Sequence, residues 1–274
     1  MSEKRGETLE FFSGFNIKYP EYEVIPPLTI SKCSVRCMRS DDEMALKGSF
    51  VTSEAGIVDQ INKAVWQCMV SKPDGVVSFD DFVSKMFTKD RDALFYGLNH
   101  VTYGDDFTFK FKCPECGKTF SAKVKLGECF SIKTWGHDVG PAEYTVDFEL
   151  PEAPGSKIVL RAPTIGHEAA LMSDPVFAPK SNKPYMTLCS HIDHLEETGT
   201  NGEVNRYKEP LSLLKGVQTI KPQTRKLLED LVDKEFGAYD ISLTAKVKCP
   251  MQHCGHVEEG VELDLSECLF RALR

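Results

Sequence analysis

Four cysteines in this chain stand in pairs whose spacing suits a metal. Cys113-Pro114-Glu115-Cys116-Gly117 is a Cys-Pro-x-Cys-Gly turn, and Cys249-Pro250 leads to Cys254-Gly255 with four residues between the sulfurs. Thiolates bind zinc tightly, zinc takes four ligands in a tetrahedron, and both spacings fall in the structural range. The expected arrangement is one structural Zn2+ per chain held by Cys113, Cys116, Cys249 and Cys254. With all four positions filled by protein, no open site remains for catalysis. Two separate sites are the alternative, each drawing a third thiolate from Cys129 or Cys268. Cys129 lies 13 residues beyond Cys116, past a return strand. At ~3.3 Å per residue it belongs near the hairpin base. His253 and His256 flank the second pair and offer replacement ligands.

The elements that must carry these pairs are readable. Phe107, Phe109 and Phe111 alternate with Thr108, Lys110 and Lys112 into the first turn, and residues 119–126 lead back out. Leu243, Ala245 and Val247 alternate into the second turn, and residues 257–265 lead away. Period-two alternation marks strands with one buried face. Each pair therefore sits at the tip of a β-hairpin, a zinc knuckle. The first hairpin carries Lys110, Lys112, Lys118, Lys123 and Lys125; the second carries Glu258, Glu259, Glu262 and Asp264. Such opposite charges suit mutual docking or a protein partner.

Upstream, residues 28–38 alternate as a strand, and Ser40 with Glu43 forms a capping box for a short helix that Gly48 can end. Residues 54–71 place Ile57, Ile61, Val65, Cys68 and Met69 on one helical face. Phe79, Phe82, Val83 and Met86 form another, with Asp80 and Asp81 as helix-start acids. Thr88 caps a helix to Tyr103, with Gly104 beyond it. A second pass follows. Residues 144–150 and 158–160 form strands around a turn at 151–155. Residues 35–46 align with 160–171 without a gap, sharing Arg, Glu, Ala and Leu. Leu94, Phe95, Leu98, Tyr103 and Gly104 match Leu227, Leu228, Leu231, Phe236 and Gly237, and Glu128-Cys129-Phe130 matches Glu267-Cys268-Leu269.

The fold class expected is α+β. Two pseudo-symmetric halves, each a strand hairpin, helices and a knuckle, join in a zinc-ribbon-like site. Residues 1–28 are an aromatic N-terminal arm with Phe11, Phe12, Phe15, Tyr19 and Tyr22, packed on its own domain or on another subunit. Residues 29–135 form the first repeat with knuckle 113–116. Residues 136–274 form the second, with knuckle 249–254 and an insertion at 173–221. In the insertion, 173–184 and 199–210 read as exposed loops around a helix at 185–197. His191 and His194 on that helix read as a solvated face.

Composition bounds the function. The 274 residues are 41% hydrophobic and 27% charged, as in an ordinary globular protein, and the net charge is −8. An acidic total argues against a general nucleic-acid binder. The start is too polar for a signal peptide, and no run approaches the ~18 apolar residues of a membrane span. Without a signal, ten cysteines favour metal binding in a reducing cytosol over a disulfide scaffold. No P-loop, Gly-rich dinucleotide turn, nucleophile elbow or His-Glu-x-x-His is present, so no enzymatic activity is expected.

The order of these pieces resembles the baseplate hub and hub-assembly proteins of T-even-type contractile-tailed bacteriophages. The matching pieces are an Arg-containing strand and Glu-containing helix (30–46) and an amphipathic helix ending near Cys68. They continue with Asp90-Arg91-Asp92-Ala93-Leu94-Phe95, Tyr103-Gly104-Asp105 leading to Cys113 and Cys116, the strand-helix at 161–171, and the C-terminal knuckle with its apolar tail. The resemblance covers about residues 28–274; the wider gap before Cys254 and the 173–221 segment depart from it. It implies a structural or assembly protein without enzymatic activity. Its place would be the baseplate hub, beside the tail tube and tape-measure protein, in the host cytoplasm during assembly and in the virion baseplate. No small-molecule substrate and no membrane are implied. A nucleic-acid-binding zinc-ribbon protein is the alternative reading.

Overall fold

In the computed structural model, residues 20–24, 26, 28, 32–48, 53–199, 201–237 and 239–263 are described. Phe11, Phe12, Phe15, Tyr19, Asp264 and Cys268 lie outside them. The first half contains β1 (Glu21–Val24), β2 (Cys33–Arg36), α1 (Ser40–Gly48), α2 (Glu54–Cys68), β3 (Met69–Ser71), α3 (Phe79–Lys85) and α4 (Thr88–Tyr103). The first knuckle hairpin is β4 (Asp106–Lys112) and β5 (Thr119–Lys125), followed by α5 (Leu126–Cys129) and β6 (Phe130–Ile132). The chain continues with β7 (Thr145–Glu149), β8 (Ser156–Arg161), α6 (Ile165–Ser173), α7 (Lys183–Ser190), β9 (Ile192–Thr198), β10 (Val204–Tyr207), α8 (Pro210–Thr219) and α9 (Pro222–Phe236). The second knuckle hairpin is β11 (Ile241–Lys248) and β12 (Val257–Glu262). The sheets run β1-β2-β3, β10-β9-β8-β7, β12-β11-β6 and β4-β5.

Three apolar layers hold these elements. The first packs Val35, Val65, Cys68, Phe82, Leu94 and Leu98 between β2 and helices α2, α3 and α4. The second packs Ile158, Leu160, Ile192, Leu213 and Leu228 between the four-stranded sheet and helices α8 and α9. The third lies between the knuckle hairpins. Ile165 of α6 belongs to the first layer, while Leu28 and Phe87 belong to the second. Each half thus inserts side chains into the other's core.

Local rules explain most element ends. Ser78 and Asp81 close a capping box at α3, with acids in its first turn, where the helix dipole favours them. Thr164 caps α6 by accepting from the His167 N–H. Pro222 opens α9, and Gly104 and Gly237 follow α4 and α9. At α1 the cap differs from expectation. The Glu43 N–H donates to the Arg39 carbonyl, so the helix begins one residue early. Asp42, not Glu43, accepts from the Arg39 N–H at 2.8 Å, because its carboxylate is also held by Arg36 at 2.6 Å. Glu43 instead accepts from the Tyr103 hydroxyl. Thr88 is not the cap of α4 either. Phe87 stands there without a side-chain cap. It bridges to Thr164, and the Thr88 N–H donates to the Pro163 carbonyl.

The residues at 69–71 leave the helical face assigned to them. They form β3, whose Met69 pairs with Val35. Tyr22, the last aromatic of the 1–28 stretch, sits on β1 within the first half. Its ring lies so close to α4 that a Cβ on Gly97 would meet Tyr22 Cδ1 at 2.7 Å and Val35 Cγ2 at 3.2 Å. Glycine inside a helix is ordinarily worse than alanine by about 1 kcal/mol. Here the order reverses. Gly97→Ala should lose about 1–2 kcal/mol through overpacking, read as a lower urea midpoint with an unchanged m-value.

The 173–221 segment is more ordered than expected. Phe177 of a short 3-10 turn is buried at 3% exposure. The helix stops at Ser190, and the chain turns into β9, which pairs with β8 on one side and β10 on the other. Ile192 and His194 are buried on that strand. Both stretches read as exposed loops are largely solvent-facing apart from Phe177, although 173–184 contains the 3-10 turn and the start of α7, and 199–210 contains β10.

Candidate metal centre

Each knuckle is a tight turn whose backbone closes on itself. The Cys113 N–H donates to the Lys118 carbonyl, and the Gly117 N–H to the Cys113 carbonyl. In the second turn the Cys249 N–H donates to the His256 carbonyl, and the Cys254 N–H to the Met251 carbonyl. The two extra residues widen the tip without changing how its base closes. Gly117 and Gly255 have φ of 68° and 61°, the left-handed region where a side chain is costly.

The hairpins face one another through their apolar sides. Phe109, Val124, Ala245, Val247 and Leu263 are buried between them, with Phe107, Phe111, Phe120 and Val261 packed around. β4 and β5 pair in unbroken register from Asp106↔Lys125 to Lys112↔Thr119, so alternate residues hold one face. The lysines of these strands are therefore exposed. The hairpins dock through apolar surface. Glu259 is paired within its own hairpin, with Lys246 at 2.5 Å. Glu258 lines a groove of about 290 Å³ between the hairpins, beside Lys110 and Lys112.

This docking brings the two tips together. The sulfurs of Cys113, Cys116, Cys249 and Cys254 all lie within 4.8 Å of one another. The cross-hairpin separations are 3.6 Å for Cys113 to Cys254 and 3.7 Å for Cys116 to Cys249. Disulfide sulfurs would be about 2.05 Å apart. Sulfurs at the corners of a tetrahedron with metal–sulfur bonds of ~2.3 Å would be about 3.8 Å apart. The cluster can hold a metal ion, and its dimensions fit zinc. Neither His253 nor His256 belongs to it. Cys129 is not a member either. It ends α5 at the hairpin base, where burial raises its thiol pKa.

The electrostatics point the same way. The backbone N–H of Cys116 leads in holding Cys113 down to about 7. Cys254 is pushed up to about 12 even though the His256 N–H acts to lower it, because burial and the neighbouring sulfurs oppose its charge. Cys249 is also raised, against the lowering effect of the Met251 N–H. Four thiolates this close repel one another. A divalent cation removes that repulsion and keeps all four ionised.

The other histidines do different work. His191 ends α7, and its Nδ1 lies 3.0 Å from the Thr187 carbonyl. His194, on a strand, lies between Asp193 at 2.6 Å and Glu196 at 2.9 Å. It is 8% exposed, so it is a buried member of a charge network, not part of a solvated helical face.

Two contacts between the halves had no signal in the spacing. β6 crosses from the first hairpin to pair with β11, with Phe130 opposite Leu243. Arg91 of α4 is buried and paired with Glu168 of α6 and with Asp92. Burial works against its charge, yet the two carboxylates hold its pKa above the ordinary value.

A mixed α+β chain with four clustered cysteines is the class that this geometry defines. The chain matches the family described as T4 bacteriophage base plate protein over residues 20–270, and it belongs to that family. No curated protein and no solved structure matches it. Among the described residues, no helix is long and apolar enough to cross a membrane.

Proposed function

We propose that this protein is a non-enzymatic structural or assembly component of a contractile phage tail, acting at the baseplate hub beside the tail tube and tape-measure protein. Membership of the baseplate protein family carries this reading. The order of strand, helix and knuckle pieces supports the hub assignment within that family. The cysteine cluster serves as a structural Zn2+ site, with Cys113, Cys116, Cys249 and Cys254 as ligands. Four protein sulfurs leave no position for a substrate or water.

The chain reads further as two related halves, residues 29–135 and 136–274, after an arm at 1–28. β2 and α1 are followed in the second half by β8 and α6, and the helix bounds Ser40–Gly48 and Ile165–Ser173 differ by a constant offset. α4 and α9 each precede a knuckle hairpin. One metal shared between the knuckles makes the halves a single unit to present to neighbours.

The hub assignment is tested by cross-linking and mass spectrometry of tail intermediates from infected cells. Cross-links from this chain to tail-tube or tape-measure proteins are expected. Cross-links confined to the baseplate periphery would contradict it. The alternative nucleic-acid role would show as binding that weakens steeply with salt, its slope reporting several phosphate contacts.

A further inference from the structure

We propose that the groove between helices α2, α3 and α6 is a docking site for a segment of another tail protein, one that inserts an apolar side chain with a Lys or Arg beside it. The groove has a volume of about 350 Å³, at the small end of ligand clefts. Three helical stripes build it. α2 turns Ala55, Val58 and Asn62 towards it, spaced i, i+3 and i+7. This stripe is separate from Ile61, Val65 and Cys68, which belong to the first apolar layer. α3 adds Phe79 and Val83, and α6 adds Ala169 and Met172. The helices close up at one end, where a Cβ on Gly166 would meet the Val83 carbonyl oxygen at 3.1 Å. One turn on, the short Ala169 side chain leaves the space open. The groove thus lies on the seam of the two halves, and Ala169 follows Glu168, which Arg91 holds in place.

The polar groups of the groove say what the segment must carry. Asn62 is 3% exposed, and its Oδ1 has no hydrogen-bond partner among the described residues. A buried amide in that state costs stability, and an apolar residue at this position would remove the cost. Its presence in an otherwise apolar wall points to an occupant that brings a donor. Asp59 and Asp80 are exposed on the rim. Lys63 holds Asp59 at 2.7 Å and Lys85 holds Asp81, whereas Asp80 has no ion pair among the described residues. Both unmet groups are therefore acceptors. Lys and Arg side chains carry only donors, and their methylene stems suit apolar walls such as Val58 and Phe79. Met172 adapts to the shape inserted. A protein occupant follows from membership of the baseplate family and does not require the hub position.

The test supplies the full chain in trans to cells infected by a phage that lacks its own copy. Asn62→Leu should leave the melting temperature unchanged or higher, since an apolar residue of similar size replaces an unmet polar group. Its amount in purified tails should nevertheless fall at least about tenfold. Asp80→Lys, an exposed change on the rim, should do the same, and it decides the matter if Asn62→Leu fails to fold. A photo-cross-linking residue at position 58 should join a different tail protein, at a peptide with Lys or Arg close to an apolar residue, and Asp80→Lys should abolish that link. Such a link to a peripheral baseplate protein would support the groove while contradicting the hub position. Wild-type amounts of both variants in tails would overturn the proposal. So would a position-58 link confined to this chain or to a second copy of it. A lower melting temperature in Asn62→Leu with normal incorporation would assign the amide to a structural water and overturn the proposal as well.

Discussion

Replacing Cys249 with Ser should release the metal and loosen both knuckle hairpins together. Zinc content should fall from about one per chain towards none, since a structural site needs its four ligands. Residues 106–125 and 241–262 should both gain hydrogen exchange, although only the second carries the substitution. The reason is topological. Between Cys116 and Cys249 lie 132 residues, so a metal bridging them closes a long loop that the unfolded chain must otherwise close by chance. Structural zinc in small domains carries apparent binding free energies of roughly 10–16 kcal/mol. Complete unfolding is not expected, because each half keeps its own apolar layer. Cys129→Ser, which touches none of the four clustered sulfurs, should leave the metal in place. Loosening of the second hairpin alone in Cys249→Ser would mean that the halves bind metal separately.

Arg91→Met should cost the fold about 3–5 kcal/mol, the range for breaking a buried ion pair by removing one partner. The Arg91 side chain is 8% exposed and Glu168 is 24% exposed, so the glutamate left behind keeps little access to water. Asp92 is 44% exposed and can regain solvent. The contact joins α4 to α6, beside the Phe87–Thr164 bridge. Its loss should therefore separate the halves before either core melts. The double variant Arg91→Met/Glu168→Leu should recover most of the lost stability, because apolar replacements for a buried pair are often neutral or better. Equilibrium urea unfolding of the single and double variants measures both effects. A loss below about 1 kcal/mol in the single variant would place this pair with ordinary surface ion pairs.

The knuckles were legible because their chemistry is local. Cys spacing, a glycine after the second cysteine, and strict alternation on either side specify a hairpin with thiols at its tip. The helix-start acids Asp80 and Asp81 of α3 were equally local. What failed depended on partners far along the chain. Residues 192–198 continue a plausible helix from Tyr185, yet two neighbouring strands compete for them and win. Met69 fits the α2 face, but Val35 offers it a ladder position. Phe87 takes the N-terminal edge of α4 from Thr88 because the second half supplies Thr164 and Pro163 as backbone partners. The internal match also hid a difference. α1 carries Ser-Asp-Asp-Glu and leaves Met44 65% exposed, whereas the aligned α6 begins Ile-Gly-His-Glu and buries Ile165 in the first half's core. Aligned positions with different polarity pack differently, and periodicity does not reveal which half receives them.

The central claim is that a single metal joins the two knuckles. Native mass spectrometry of protein prepared with zinc, read alongside elemental analysis, tests it most directly. The account predicts one zinc per chain, lost as a single step on chelation and absent from Cys113→Ser and Cys249→Ser alike. Two zincs per chain, or one that survives either substitution, would contradict it.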